Sequence, residues 1–275
     1  MSSPIGDPPV ALITGGSRGI GRALVEHLVQ RGFRVGATAR TAASVESVVA
    51  AAAGAVLGLP GDATDSGAVA DAVAQMSEWA GVPDLVIANA GVFREAGPLA
   101  ATDVDAWWDD VTVNLRGPML LARHALPPML ARGSGRLVLM SSGIGNGPSP
   151  WGTAYGASKA ALTALGGSLA AELDGTGVGV FVVSPGFVKT DMTRWPPRFL
   201  EYREDLRDQP DSVFRDVGDI AALIDAISAG TLDQWRGRFL HAGDDIAALT
   251  AAHPNKAARQ LSLAPFGPTD WLAGR

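Results

Sequence analysis

The chain has 275 residues, 18% of them charged, a formal net charge of -6 and no cysteine. No basic run is present, so a nucleic-acid backbone is not an expected partner. Without thiols, disulfides, thiolate nucleophiles and Cys-ligated metal centres are excluded.

Short apolar runs alternate with helix-length segments. Val10–Ile13 reads as a strand, followed by glycines and a helix over Ile20–Gln30. Phe33–Ala39 is the next predicted strand, Val45–Ala53 a helix, Ala55–Leu59 a strand and Ser66–Trp79 a helix. After strand Asp84–Ala88, Thr102–Leu126 reads as one long helical region kinked near Pro118. Arg136–Met140, Val178–Val183 and Arg238–His241 are predicted strands, and Trp151–Leu173 and Asp216–Ser228 helices.

Apolar runs with little alternation suit strands buried on both faces. The β–α alternation implies a parallel sheet with right-handed crossovers. The expected fold is α/β: a single Rossmann-type doubly wound parallel sheet of seven strands, helices on both faces, in one domain over 1–275. Two segments break the alternation, 190–209 and an irregular tail over 252–275. The first follows a strand end, where ligand sites of such sheets form, and reads as a lid. Met1–Val10 lacks a basic and apolar leader, and the most apolar stretch, Val48–Leu59, is too short to span a bilayer. A cytoplasmic protein with no membrane partner is expected.

Strand Val10–Ile13 leads into Thr14-Gly15-Gly16-Ser17-Arg18-Gly19-Ile20-Gly21. Glycines let the backbone turn tightly and approach a diphosphate, and the next helix offers N–H groups and a positive dipole end. Gly15-x-Ser17-x-Gly19 also fits a hydrolase nucleophile elbow. That site needs an earlier loop for its oxyanion hole, and only nine residues precede Val10. No Gly-Lys followed by Ser or Thr closes the turn, as a nucleotide kinase requires. The second strand runs into Arg40, where an NAD site places an acid for the ribose hydroxyls; the next acid is Glu46. Arg40, joined by Arg18, suits a ribose phosphate instead, because a guanidinium matches phosphate in forked geometry.

Tyr155-Gly156-Ala157-Ser158-Lys159 lies near the start of a predicted helix, so Tyr155 and Lys159 share a face. Tyrosine, with an ordinary pKa of about 10, is a poor proton donor or acceptor at neutral pH. At about 6 Å and an effective dielectric of about 20, an ammonium stabilises tyrosinate by roughly 3 kcal/mol. Such a pair can do general acid–base work. Ser142 lies just past strand Arg136–Met140. His27, His124, His241 and His253 lack metal-ligand spacing, so no metal site is expected. Asp109-Asp110 and Asp244-Asp245 read as solvated pairs.

The glycine turn and the Ser142, Tyr155 and Lys159 spacing together resemble the short-chain dehydrogenase/reductase family, over roughly Val10 to Asp191. The resemblance implies a cofactor turn of Gly15, Ser17, Arg18, Gly19, Ile20 and Gly21. It implies adenine contacts at Asp62 and Ala63, and a strand end at Asn89, Ala90 and Gly91. Pro185, Gly186, Val188 and Thr190 match the segment that contacts the nicotinamide carboxamide. Asn114, Ser142, Tyr155 and Lys159 match the catalytic set: Tyr155 as general acid/base, Ser142 orienting the carbonyl, Asn114 placing a water. Lys159 would lower the Tyr155 pKa and, with Tyr155, hold the cofactor ribose.

The expected activity is therefore NADP(H)-dependent hydride transfer between a carbonyl and a secondary alcohol of a small molecule. An NAD-dependent alcohol dehydrogenase and a non-catalytic NADP-binding regulator are the alternatives. Phe187, Trp195, Phe199 and Trp151 are the expected apolar pocket under the lid. By the same resemblance, the helices at Thr102–Leu126 and Trp151–Leu173 imply a homodimer or homotetramer. The chain departs from the family at the last strand, where Gly237 to Asp245 replaces the usual Asp-Gly-Gly.

Overall fold

Strand β1 (Val10–Ile13) is buried at every position and sends alternate side chains to opposite faces. Leu12 enters one apolar layer with Val86, Leu121, Leu137 and Val180. Ile13 enters the other with Leu24, Ile87, Phe181 and Ile224. A strand packed on both sides in this way sits in the middle of a sheet. The computed structural model describes residues 7–254.

The elements that follow are α1 (Gly19–Gln30), β2 (Arg34–Ala39), α2 (Ala42–Ala50), β3 (Val56–Pro60), α3 (Ser66–Ala80) and β4 (Leu85–Ala88). Then come α4 (Val104–Val111), α5 (Gly117–Arg132), β5 (Gly135–Met140), α6 (Thr153–Glu172) and β6 (Val178–Ser184). The described chain closes with α7 (Pro197–Leu200), α8 (Val217–Ser228), β7 (Phe239–His241) and α9 (Ile246–Ala251). All strand pairs are parallel, in the order β3-β2-β1-β4-β5-β6-β7. This is the expected seven-strand Rossmann-type sheet. The order reverses between β1 and β4, which opens a crevice at their carboxyl ends.

Capping residues set several boundaries that periodicity leaves loose. Thr41 accepts from Ser44 N, so α2 starts three residues before the expected Val45. Asp65 accepts from Ala68 N at the start of α3, and Gly81 ends it at φ 99°. The break expected near Pro118 is a π turn over Thr112–Arg116, just before that residue. The backbone stays helical from α4 through that turn into α5, so the missing Pro118 N–H removes the bond to the carbonyl four residues earlier. The helix then runs through Pro127 and Pro128 to Arg132.

The segment over 190–209 is not featureless. It forms a 3₁₀ turn at Asp191–Arg194, α7, and a second 3₁₀ turn at Glu204–Leu206. Asp244 and Asp245 do not merely face solvent: Asp244 accepts from His241 N at 2.8 Å, and Asp245 caps α9 through Ala248 N at 3.0 Å. Of the tail over 252–275, residues beyond 254 lie outside the described residues. Among the described residues, no helix is long and apolar enough to cross a membrane.

Candidate active site

The glycine turn leaves β1 at the sheet's reversal point. Gly15 has φ 68°, a left-handed value that side chains disfavour, and a side chain at Gly21 would collide with the Gly15 carbonyl. The turn is fastened to β4. Thr14 Oγ1 accepts from Asn89 N at 3.1 Å and Ala90 N at 3.2 Å. Asn89 Nδ2 donates to Thr14 O at 3.0 Å and Gly15 O at 3.3 Å. The Asn89 side chain thus holds the turn in shape.

Beside it, Thr14, Thr38, Leu59, Asp62, Ala63 and Leu121 line a narrow crevice. Asp62 accepts from Thr64 N and Thr64 Oγ1, both at 2.8 Å. Those bonds hold its carboxyl below the usual range, and the Arg40 guanidinium adds to the effect. Arg40 itself is exposed at the end of β2. These residues fit a dinucleotide: an apolar slot for a flat base, a carboxylate at its rim, a glycine turn for the diphosphate, and a guanidinium at the edge. From the opposite side the segment after β6 folds back. Val188 forms a β-bridge with Arg215, the Thr190 methyl faces Gly19, and Asp191 lies 3.7 Å from Arg18.

At the start of α6, Tyr155 and Lys159 are both buried. Lys159 Nζ donates to Met140 O at 2.8 Å and lies 5.6 Å from the Tyr155 ring centre. Burial lowers the Lys159 pKa from 10.5 to about 8. Burial raises that of Tyr155, while the neighbouring Ser142 hydroxyl pulls the other way. The net shift of the phenol is upward, so the expected lowering by Lys159 does not prevail in the structure. Asn114 sits in the π turn with its side chain fully occupied. It accepts from Val92 N at 2.8 Å and donates to Val92 O at 2.8 Å and Ser158 Oγ at 3.2 Å.

The expected aromatic wall does assemble, around a residue the sequence analysis missed. Phe93 lies 5.0 Å from Tyr155, 4.9 Å from Phe199 and 5.8 Å from Trp195, ring centre to ring centre. Phe187 meets Trp195 at 5.9 Å, and Trp151 stacks on Tyr202. The signal for Phe93 was its place just past strand β4 at the sheet's reversal point.

Asp110 corrects a second expectation: it is fully buried, not solvated. It accepts from Arg94 N at 2.7 Å, Glu95 N at 3.0 Å and Arg94 Nε at 2.8 Å. It thereby anchors the loop that carries Phe93. Asp110→Ala strands two main-chain donors and is expected to cost about 3 kcal/mol of stability. Urea unfolding of this variant beside Asp109→Ala checks it, and equal midpoints would refute the anchor.

The buried ammonium of Lys159 has a stability consequence of definite sign. A lysine whose folded pKa is depressed weakens the fold in full below about 8, and the penalty fades as pH rises from there to 10.5. Lys159→Met should therefore stabilise the ligand-free protein at pH 7. The gain, after losing the bond to Met140 O, is about 2 kcal/mol. Urea midpoints at neutral pH and near pH 10 test this; the gain must narrow at the higher pH.

A family model described as short chain dehydrogenase matches residues 9–197. A short chain dehydrogenase of Pseudocercospora fijiensis is 39% identical over 187 residues, 66% of this chain; the match spans 60% of that relative, less than two thirds of its length. A 3-oxoacyl-acyl-carrier-protein reductase of Salmonella typhimurium is 34% identical over 185 residues, 67% of this chain and 75% of its own. A 2-(R)-hydroxypropyl-CoM dehydrogenase of Xanthobacter autotrophicus is 35% identical over 226 residues, 79% of this chain and 89% of its own.

Proposed function

The chain belongs to the short-chain dehydrogenase/reductase family of nicotinamide-dependent oxidoreductases, and from that premise we propose that it interconverts a small-molecule ketone and its secondary alcohol with NADP(H). The observation that carries this reading is the convergence of Ser142, Tyr155 and Lys159 at the sheet's carboxyl edge, beside the glycine turn.

When bound, the reduced cofactor supplies the hydride, so ketone, NADPH and one proton become alcohol and NADP+. Tyr155 donates that proton to the carbonyl oxygen. Ser142 donates a hydrogen bond to the same oxygen and orients it. Lys159, while protonated, stabilises the phenolate left behind by about 3 kcal/mol at its distance and an effective dielectric of about 20. Together with Tyr155 it is also placed to hold the ribose. The Asn114 side chain is committed to Val92 and Ser158, so its part in placing a water falls to its main-chain carbonyl.

Gly15, Ser17, Gly19, Ile20 and Gly21 would hold the diphosphate, with Ala90 and Gly91 beside it. Asp62 and Ala63 would hold the adenine, and Pro185, Gly186, Val188 and Thr190 the carboxamide. Residues 190–209 act as the lid. The test is a turnover screen of ketones with NADPH and of alcohols with NADP+; no oxidation or reduction of cofactor by any member overturns the reading. Assembly as a homodimer or homotetramer is part of the same proposal. It expects a multiple of the chain mass by light scattering at micromolar concentration, and a monomer refutes it.

A further inference from the structure

Against the aromatic cluster lies a cavity of about 260 Å³. Phe187, Trp195, Phe214, Leu206 and Val213 supply its apolar walls. Among the described residues lining it, the charges are Arg203 and Asp205, and these neutralise one another. Arg203 Nε and Nη2 donate to the two Asp205 oxygens, each at 2.7 Å. Gln209 turns its amide onto the Asp205 main-chain carbonyl. The chamber thus offers ring faces and edges but no uncommitted charge for an anionic or cationic group. Its volume lies just below the roughly 300 Å³ where pockets for drug-sized ligands begin, which suits one or two fused rings.

Trp195 is the wall that this chamber shares with the aromatic cluster around the proposed proton donor. It meets Phe187 on one side and Phe93 and Phe199 on the other. Its φ of 50° is left-handed, a strained value for so bulky a residue, kept in place by surrounding contacts. One turn earlier, Met192 rests its sulfur 4.0 Å from the Tyr155 hydroxyl, where a substrate carbonyl must come. Met192 and Trp195 thus flank the approach to Tyr155. A flat ring suits such surroundings, because aromatic groups pair edge to face with rings and pack favourably on a thioether.

Resting on the oxidoreductase reading above, we infer that the substrate is a neutral ketone carrying an aromatic ring system of one or two rings, which fills the chamber, with Trp195 as the specificity-determining residue. A straight acyl chain gains burial from such walls but no ring-to-ring geometry, and an anionic keto acid meets one guanidinium, already held by two 2.7 Å bonds to Asp205.

The experiment compares kcat/KM with NADPH for acetylnaphthalene, acetophenone, a long straight-chain methyl ketone and acetoacetate, in the native enzyme, Trp195→Ala and Phe214→Leu. Tryptophan fluorescence titration with acetylnaphthalene, without cofactor, runs alongside. The native enzyme is expected to favour both ring ketones over the other two by at least about tenfold, roughly one strong aromatic contact. Trp195→Ala should collapse that ratio toward unity, and Phe214→Leu, which keeps bulk but removes a ring, should lower it. Equal or better turnover of the straight chain or of acetoacetate overturns the inference and leaves the oxidoreductase reading standing. So do variants that lower all four alike. If no ketone turns over, the oxidoreductase reading falls instead, and the chamber is decided by fluorescence: absence of saturable binding in the native protein removes it too.

Discussion

Tyr155→Phe is expected to retain the fold and most NADPH affinity while losing at least about 10²–10³-fold in kcat, the scale of lost acid catalysis. The ring sits 5.0 Å from Phe93 in a closed aromatic cluster, and phenylalanine keeps every one of those ring contacts. Only the hydroxyl goes, and with it the proton that a reduced carbonyl oxygen needs. Ser142 remains to orient that oxygen but cannot replace the phenol, since an alcohol is a far weaker acid. The check is kcat beside NADPH affinity by fluorescence titration. Near-normal turnover would remove Tyr155 from the mechanism, and a parallel loss of cofactor affinity would make its role one of binding.

Arg40→Ala is expected to weaken NADP(H) by roughly 10–100-fold and to leave NAD(H) nearly unchanged. Charge-assisted hydrogen bonds from a guanidinium to a phosphate dianion contribute about 1.5–3 kcal/mol each, and an NAD ribose offers no such partner. Arg40 stands exposed at the end of β2, and its charge already reaches Asp62 across the crevice mouth. Arg18 can join it, because its present partner Asp191 is 3.7 Å away and both side chains are largely exposed; such surface pairs are weak and easily exchanged. Measuring kcat/KM for both cofactors decides the matter. A native preference for NADH, or equal weakening of both cofactors in the variant, refutes the phosphate clamp.

Much of the architecture was legible because buried parallel strands read as short apolar runs separated by helix-length segments. Tyr155 and Lys159 could be paired for a similar reason: both lie on one helix, and a helix converts sequence spacing into a shared face. Asp110 and Phe93 were hidden because their meaning comes from partners outside their own element. Asp110 looks like half of a surface Asp pair until the loop after β4 lays Arg94 N and Glu95 N on it. The available clue was its position four residues before Asn114, on the same side of the helical region. Of the π turn only its neighbourhood was legible: Pro118 marks a break in the helical region, but a proline does not say which bonding pattern the preceding turn takes. The segment over 190–209 was opaque because 3₁₀ turns are too short to develop a period.

The clamp between Thr14 and Asn89 has one more consequence. Four hydrogen bonds join the ends of β1 and β4, so the turn proposed to hold the diphosphate is fastened by the protein's own groups. Flexible phosphate loops lose conformational freedom when their ligand arrives, and that loss subtracts from affinity. Here the freedom is surrendered during folding, together with the rest of the sheet. Changes at Asn89 would thus act on a ligand it does not need to touch with its side chain, by returning disorder to the loop.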